Sequence, residues 1–130
     1  MKKVLAVCLV AVTMLSAGCS SSSSGGGSYQ TIDAKQAKQM MDETPGFVLL
    51  DVRTQAEYQQ GHIEGAVLIP DTEITSQAAT VIPDKQTVIF VYCRTGARAA
   101  KASNALVGMG YAHVYDFGGI VNWPYGTVTG

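Results

Sequence analysis

Cys93, Arg94 and Arg98 are the residues of this chain best suited to nucleophilic chemistry on an anion. A thiolate is a strong nucleophile, and arginine is a permanent cation. They sit in the stretch VIFVYCRTGARAAKASNAL, Val88 to Leu106, with Thr95, Gly96 and Ala97 between the arginines. Val88 to Tyr92 is a continuous apolar, β-favouring run, the pattern of a strand covered on both faces. Ala97 to Leu106 is rich in helix formers, with Ala99, Ala102, Ala105 and Leu106 near helical spacing. A loop between such a strand and helix turns backbone N–H groups inward, at the positive end of the helix dipole. That setting favours a thiolate at Cys93 and an anion bound beside it. The alternative is an ordinary strand-to-helix turn around an inert, buried cysteine.

The elements that must position this loop follow from the rest of the chain. Tyr29 to Ile32 is a short strand candidate. Asp33 is a suitable N-cap for a helix from Ala34 to about Asp42, which Pro45-Gly46 ends. Phe47 to Val52 reads as a second buried strand. Ala56 to Gln60 is a helical turn closed by Gly61, and Ala66 to Ile69 is a third strand stopped by Pro70. A weak pattern follows, with one short helix over Ser76 to Val81. The helix after Cys93 closes around Gly108 to Gly110, and His113 to Phe117 is a fifth strand. Strands alternating with helices give an α/β fold, a mostly parallel five-stranded sheet flanked by helices. Sites in such sheets lie at the carboxyl ends of the strands. Cys93 is at one such end, and Asp51-Val52-Arg53 is at another.

The chain has 130 residues, 47% hydrophobic and 15% charged, with net charge −1, which suits one globular domain and argues against nucleic acid as a partner. Lys2 and Lys3 precede an apolar run from Val4 to Leu15, too short to span a bilayer, so residues 1–18 read as a secretory signal. The run ends in Leu15-Ser16-Ala17-Gly18-Cys19, which resembles the lipobox of bacterial lipoproteins, where the cysteine is acylated. Ser16 stands where that pattern prefers a branched aliphatic. Ordinary signal-peptidase cleavage, leaving no lipid, is the alternative. Residues 19–28 then form a lipidated cysteine and a Ser/Gly tether, with the folded domain over 29–130. The expected location is the bacterial cell envelope, at a membrane surface. In a host with two membranes, that means the outer membrane facing the periplasm.

Removing residues 1–18 takes away Lys2 and Lys3, moving the net charge from −1 to −3, and also removes Cys8. Acylation occupies Cys19. Cys93 is then a lone free thiol in a compartment where paired cysteines become disulfides. With His62 and His113 the two histidines of the chain, no metal and no cofactor is assigned.

Three segments resemble the rhodanese family. LLDVRTQAEYQQGHIEGAVLIP, Leu49 to Pro70, is similar to its D-V-R … E-[YF]-x-x-G-H-I-x-G-A segment. VYCRTGARA, Val91 to Ala99, is similar to its active-site loop, C-R-x-G-x-R. GYAHVYDFGGIVNW, Gly110 to Trp123, resembles its closing motif. The tail after Trp123 is shorter than that motif's usual ending. The resemblance covers about residues 29–130. It implies a single-domain sulfurtransferase whose Cys93 accepts sulfane sulfur as a persulfide from a donor such as thiosulfate. Cyanide or a thiol would be the acceptor.

The residues fit that chemistry. A dianion needs its charge held while sulfite departs, and the N–H groups from Arg94 to Arg98 form a suitable cradle. Arg98, in the first helical turn, is expected to contact the substrate anion directly, and Arg94 to contact or attract anions at the rim. Thr95 and Gly96 shape the loop, and Thr95, Gly96 and Ala97 are expected to bind the substrate through the same cradle. Asp51 and Arg53 are expected to brace it as a pair, and Glu57 to brace the following turn. His62 is read as a structural hydrogen-bonding residue, His113 as exposed, and Trp123 as packing over the sheet edge or lining the pocket mouth. Competing readings are a cysteine phosphatase or arsenate reductase, a catalytically silent sulfur- or protein-binding domain, and a redox partner for envelope proteins. The phosphatase loop carries its arginine where this chain has Ala99, so Arg98 falls one residue early.

Overall fold

A computed structural model describes residues 27–130. The signal segment, Cys19 and most of the Ser/Gly tether lie outside the described residues.

Five strands form one sheet: β1 (Gln30–Thr31), β2 (Val48–Asp51), β3 (Val67–Leu68), β4 (Val88–Cys93) and β5 (His113–Gly119). Their spatial order is β1-β5-β4-β2-β3, and every pairing is parallel. The helices are α1 (Ala34–Glu43), α2 (Gln55–Gln60), α3 (Ile74–Val81) and α4 (Ala97–Gly108), with 3-10 turns at Asp71–Glu73 and Ile120–Asn122.

Strand alternation sorts the core into two layers. Leu50, Val52, Ile89, Val91, Cys93 and Val114 pack with Ile74 and Ala78 of α3 and Ala99, Ala102 and Leu106 of α4. On the other face Leu49, Phe90, Tyr92 and Phe117 pack with Ala37, Met40 and Met41 of α1 and Tyr58 of α2. Both faces of β4 are therefore covered, as its unbroken apolar sequence requires. Phe90 and Tyr92 are fully buried. Each contributes roughly 1.5–3 kcal/mol of hydrophobic transfer or more.

Several boundaries differ from the sequence expectation. α3 begins at Ile74, two residues before Ser76, because Ile74 and Ala78 are the buried pair that packs it on the sheet. β3 pairs over two residues only, since Ala66 N–H is drawn into a turn onto Ile63 O at 3.0 Å. α2 begins at Gln55 because Thr54 caps it. α1 runs to Glu43, capped at its start by Asp33, whose carboxylate accepts from Gln36 N–H at 2.7 Å. β5 continues to Gly119, because Gly119 pairs with Cys93.

The carboxyl-terminal segment, short as it is, is well attached. Val128 bridges His62 antiparallel through two backbone bonds of 2.8 Å, and Gly130 N–H donates to Gln59 O at 3.1 Å. Pro124 ends the preceding 3-10 turn, consistent with its inability to continue a helix.

Candidate active site

β4 delivers Cys93 to the carboxyl edge of the sheet, between β2 and β5. The residue is 1% exposed. Past Cys93 the chain leaves the sheet through Arg94, Thr95 and Gly96 and enters α4 at Ala97. Gly96 has φ of +122°, a conformation that side chains with a Cβ resist. That turn aims its N–H at Cys93 Sγ, 3.0 Å away. Its carbonyl accepts from Ala100 N–H and so starts the helix. The thiol sulfur thus sits against a backbone donor at the amino end of a twelve-residue helix, a setting that favours negative charge on sulfur.

The loop has a close neighbour in the end of β5. Gly119 faces the carbonyl of Arg94 with no room for a side chain, and Gly118 faces Gly96. Val121 N–H donates to the same Arg94 carbonyl at 3.4 Å.

Asp51 and Arg53 form a buried ion pair at the end of the adjacent strand. Arg53 Nε lies 2.9 and 3.0 Å from the two Asp51 oxygens, and Nη2 lies 2.6 Å from Oδ2. The same Nη2 donates to Gly61 O at 2.6 Å, so the pair ties β2 to the end of α2. Burial disfavours the guanidinium charge, but Asp51 outweighs it and the net shift raises the Arg53 pKa. Tyr92 lies beneath, its ring 5.7 Å from the Arg53 guanidinium carbon and its hydroxyl accepting from Ile63 N–H at 3.1 Å. Burial pushes the Tyr92 phenol well up.

Arg98, in the first turn of α4, forms an ion pair with α2. Its Nη1 and Nη2 donate to Glu57 Oε2 and Oε1 at 2.7 and 2.9 Å. Each terminal nitrogen keeps a second N–H that Glu57 does not take, and the backbone donor on sulfur is Gly96 N–H. Glu57 does brace its own turn, accepting from Thr54 N–H and Oγ1 at 3.0 Å each. Arg98 holds the Glu57 carboxyl down at about 2. Arg94 is exposed, and among the described residues no carboxylate lies within ion-pairing distance of it. Arg53, Glu57, Arg94, Ile120, Val121 and Thr127 border an open depression of about 370 Å³ beside the loop. Thr95 and Ala97 are exposed on the loop surface.

Sequence reasoning missed Gly119 and the Glu57–Arg98 pairing. A Gly-Gly pair after a strand was visible as a turn, not as the floor of the loop. A contact across 41 residues leaves no local signal. His62 is buried, stacked on Tyr58 with ring centres 3.7 Å apart, and its Nδ1 lies 2.8 Å from Tyr58 O. His113 is exposed. Trp123 packs on Phe117 and lines a separate cavity of about 440 Å³ with Phe47, Leu49, Ile63 and Tyr125. Among the described residues no group of His, Cys, Asp or Glu side chains gathers with metal-site geometry.

The family model of the rhodanese-like domain matches residues 33–124. This chain belongs to the rhodanese-like family. Its rhodanese-like domain is 42% identical over 71 residues to the thiosulfate sulfurtransferase PspE of Escherichia coli, covering 55% of this chain and 68% of that protein. It is 37% identical over 93 residues to a sulfurtransferase of Allochromatium vinosum, covering 71% of this chain and 85% of that one. It is also 33% identical over 97 residues to the tRNA uridine(34) hydroxylase of Yersinia pestis, of which it spans 27%. Among solved structures, a rhodanese with anions from E. coli superposes with a TM-score of 0.61 at 38% identity, covering 64% of this chain and 98% of that chain. The Alr3790 protein of Anabaena does so with a TM-score of 0.69 at 31% identity, covering 75% and 81%.

Proposed function

We propose that this rhodanese-like protein is a sulfurtransferase that carries sulfane sulfur on Cys93 as a persulfide. The observation that carries the reading is the Gly96 N–H on Cys93 Sγ at 3.0 Å, at the carboxyl end of the central strand and the amino end of α4. Similarity to proteins named as sulfurtransferases supports it. With thiosulfate as donor, the Cys93 thiolate attacks the terminal sulfur and a new S–S bond forms. The donor's own S–S bond breaks, and sulfite leaves with the electron pair. Cyanide then attacks the outer sulfur, giving thiocyanate and restoring the thiolate. A thiol acceptor ends in the same way with a persulfide of its own. The negative charge leaves Cys93 sulfur when thiosulfate is cleaved and returns to it when the acceptor takes the outer sulfur, and it is this returning charge that lies against the Gly96 donor. Burial of Cys93 suits a donor that presents a protruding terminal sulfur.

Intact mass spectrometry tests the reading. Incubation with thiosulfate adds the mass of one sulfur atom to the wild type and none to Cys93→Ser, and cyanide removes it. A wild-type protein that gains no sulfur from any of several sulfane donors refutes it.

We further propose that acylation at Cys19 anchors the domain at the cell envelope, with the Ser/Gly tether holding it off the membrane. The support is the basic start, the short apolar run and the small residues before Cys19. Fatty-acid labelling that is lost in Cys19→Ala agrees with this, and labelling that persists in the variant contradicts it.

A further inference from the structure

Three arginines surround the Cys93 loop, and the structure gives each a different charge balance. Arg53 is matched by Asp51 beneath the loop. Arg98 is matched by Glu57. Arg94 has no carboxylate partner among the described residues. Glu57 is not simply drawn in by Arg98. It is the third residue of α2, and the capping box with Thr54 fixes its carboxylate from the helix side. The Arg98 fork then docks on an acceptor already in place.

We propose that Glu57 is a specificity-determining residue that sets the charge of the Cys93 loop. By cancelling Arg98 it holds the three arginines and their two carboxylates at a single net positive charge, limiting the site's preference for multiply charged anions over singly charged or neutral reactants. The placement of these charges supports this. Arg98 and Glu57 are both partly exposed at the mouth, so their fields reach an incoming anion. Without Glu57, the same loop presents both Arg94 and Arg98 as unmatched cations, a focusing arrangement for dianions. The biological meaning rests on the sulfurtransferase reading, but the charge effect itself does not.

The test therefore has a readout independent of sulfur transfer. Cys93 in the folded full-length protein is alkylated with anionic iodoacetate or neutral iodoacetamide, and each rate is followed on the Cys93 peptide by mass spectrometry. In Glu57→Gln the iodoacetate-to-iodoacetamide rate ratio rises by about threefold or more at low ionic strength, and the gain shrinks in about 0.5 M salt. Arg98→Gln, which leaves Glu57 unbalanced, lowers the ratio. The double variant returns near the wild-type ratio. In parallel, KM for thiosulfate falls in Glu57→Gln more than kcat changes. An unchanged ratio in folded Glu57→Gln overturns the proposal, as does a double variant that keeps the single variant's ratio. Should Glu57→Gln fail to fold, an unchanged ratio in Arg98→Gln overturns it alone. A wild type that forms no persulfide refutes the sulfurtransferase reading, and the alkylation ratios still decide the role of Glu57.

Discussion

Gly119 lies so close beneath the carbonyl of Arg94 that a β-carbon there would overlap the oxygen and sit 2.8 Å from the Thr95 α-carbon. Its φ of −136° is open to any residue, so space alone demands glycine. The end of β5 is thus the floor on which the Cys93 loop rests.

Gly119→Ala is expected to displace the loop. Overpacking of this kind costs about 1–3 kcal/mol, and persulfide formation should slow by about tenfold or more as the Gly96 donor moves off sulfur. Gly108, at the end of α4 with open space around it, supplies the comparison. Gly108→Ala should leave the rate unchanged and be neutral or stabilising by up to about 1 kcal/mol. Thermal unfolding and stopped persulfide time courses check both.

Asp51→Ala removes one partner of a buried ion pair and leaves Arg53 5% exposed with Gly61 O as its remaining side-chain acceptor. Uncompensated buried charge of this kind costs about 3–5 kcal/mol. Urea denaturation should show a lower midpoint with an unchanged slope. A loss below about 1 kcal/mol would mean that the pair is dispensable to the fold.

Glu57 makes stability depend on pH in a defined window. Its folded pKa is held at about 2, below the unfolded carboxylate value of about 4.3. The stabilisation is therefore fully present above the unfolded value and lost as pH falls through about 2. Because the pair is partly exposed, its worth is about 1 kcal/mol. Glu57→Gln should flatten the stability curve between about pH 5 and 2 without altering its shape above neutrality.

Asp116 behaves in the opposite sense. Burial raises its pKa, and the bond from Gly118 N–H at 2.8 Å only partly offsets this. The ionised carboxylate is therefore a cost to the fold at neutral pH, and it disappears as pH falls and the group takes up a proton. Asp116→Asn keeps an acceptor for Gly118 and removes the charge. It should raise the neutral-pH melting temperature, whereas Asp116→Ala, which loses the acceptor, should lower it by about 1 kcal/mol equivalent or more. Calorimetry at two pH values distinguishes the variants.

Much of this architecture is legible in local sequence. The apolar runs at Val88 and Phe47, each flanked by turn residues, announce strands covered on both faces, and their polar ends name Cys93 and Asp51. What local sequence does not show is geometry made by distant segments. The partner of Arg98 comes from α2, and the loop floor comes from β5. The early start of α3 is hidden because Ile74 and Thr75 are weak helix formers, and packing on the sheet overrides their propensity.

The all-parallel order β1-β5-β4-β2-β3 also shapes how the chain reaches its native state. No two neighbouring strands can be joined by a hairpin. Leu50 must find Val91, and Gln30 must find Tyr115, before either pairing is rewarded. Loop-closure entropy is met first and contact energy follows, so folding is expected to be slow for a chain of this length. The Cys93 loop needs β2, β4 and β5 together, because Arg53 and Gly119 come from either side of it. In refolding, persulfide formation from thiosulfate at Cys93 should return with the last phase of structure, and a fragment that lacks either flank should form it far more slowly than the whole domain.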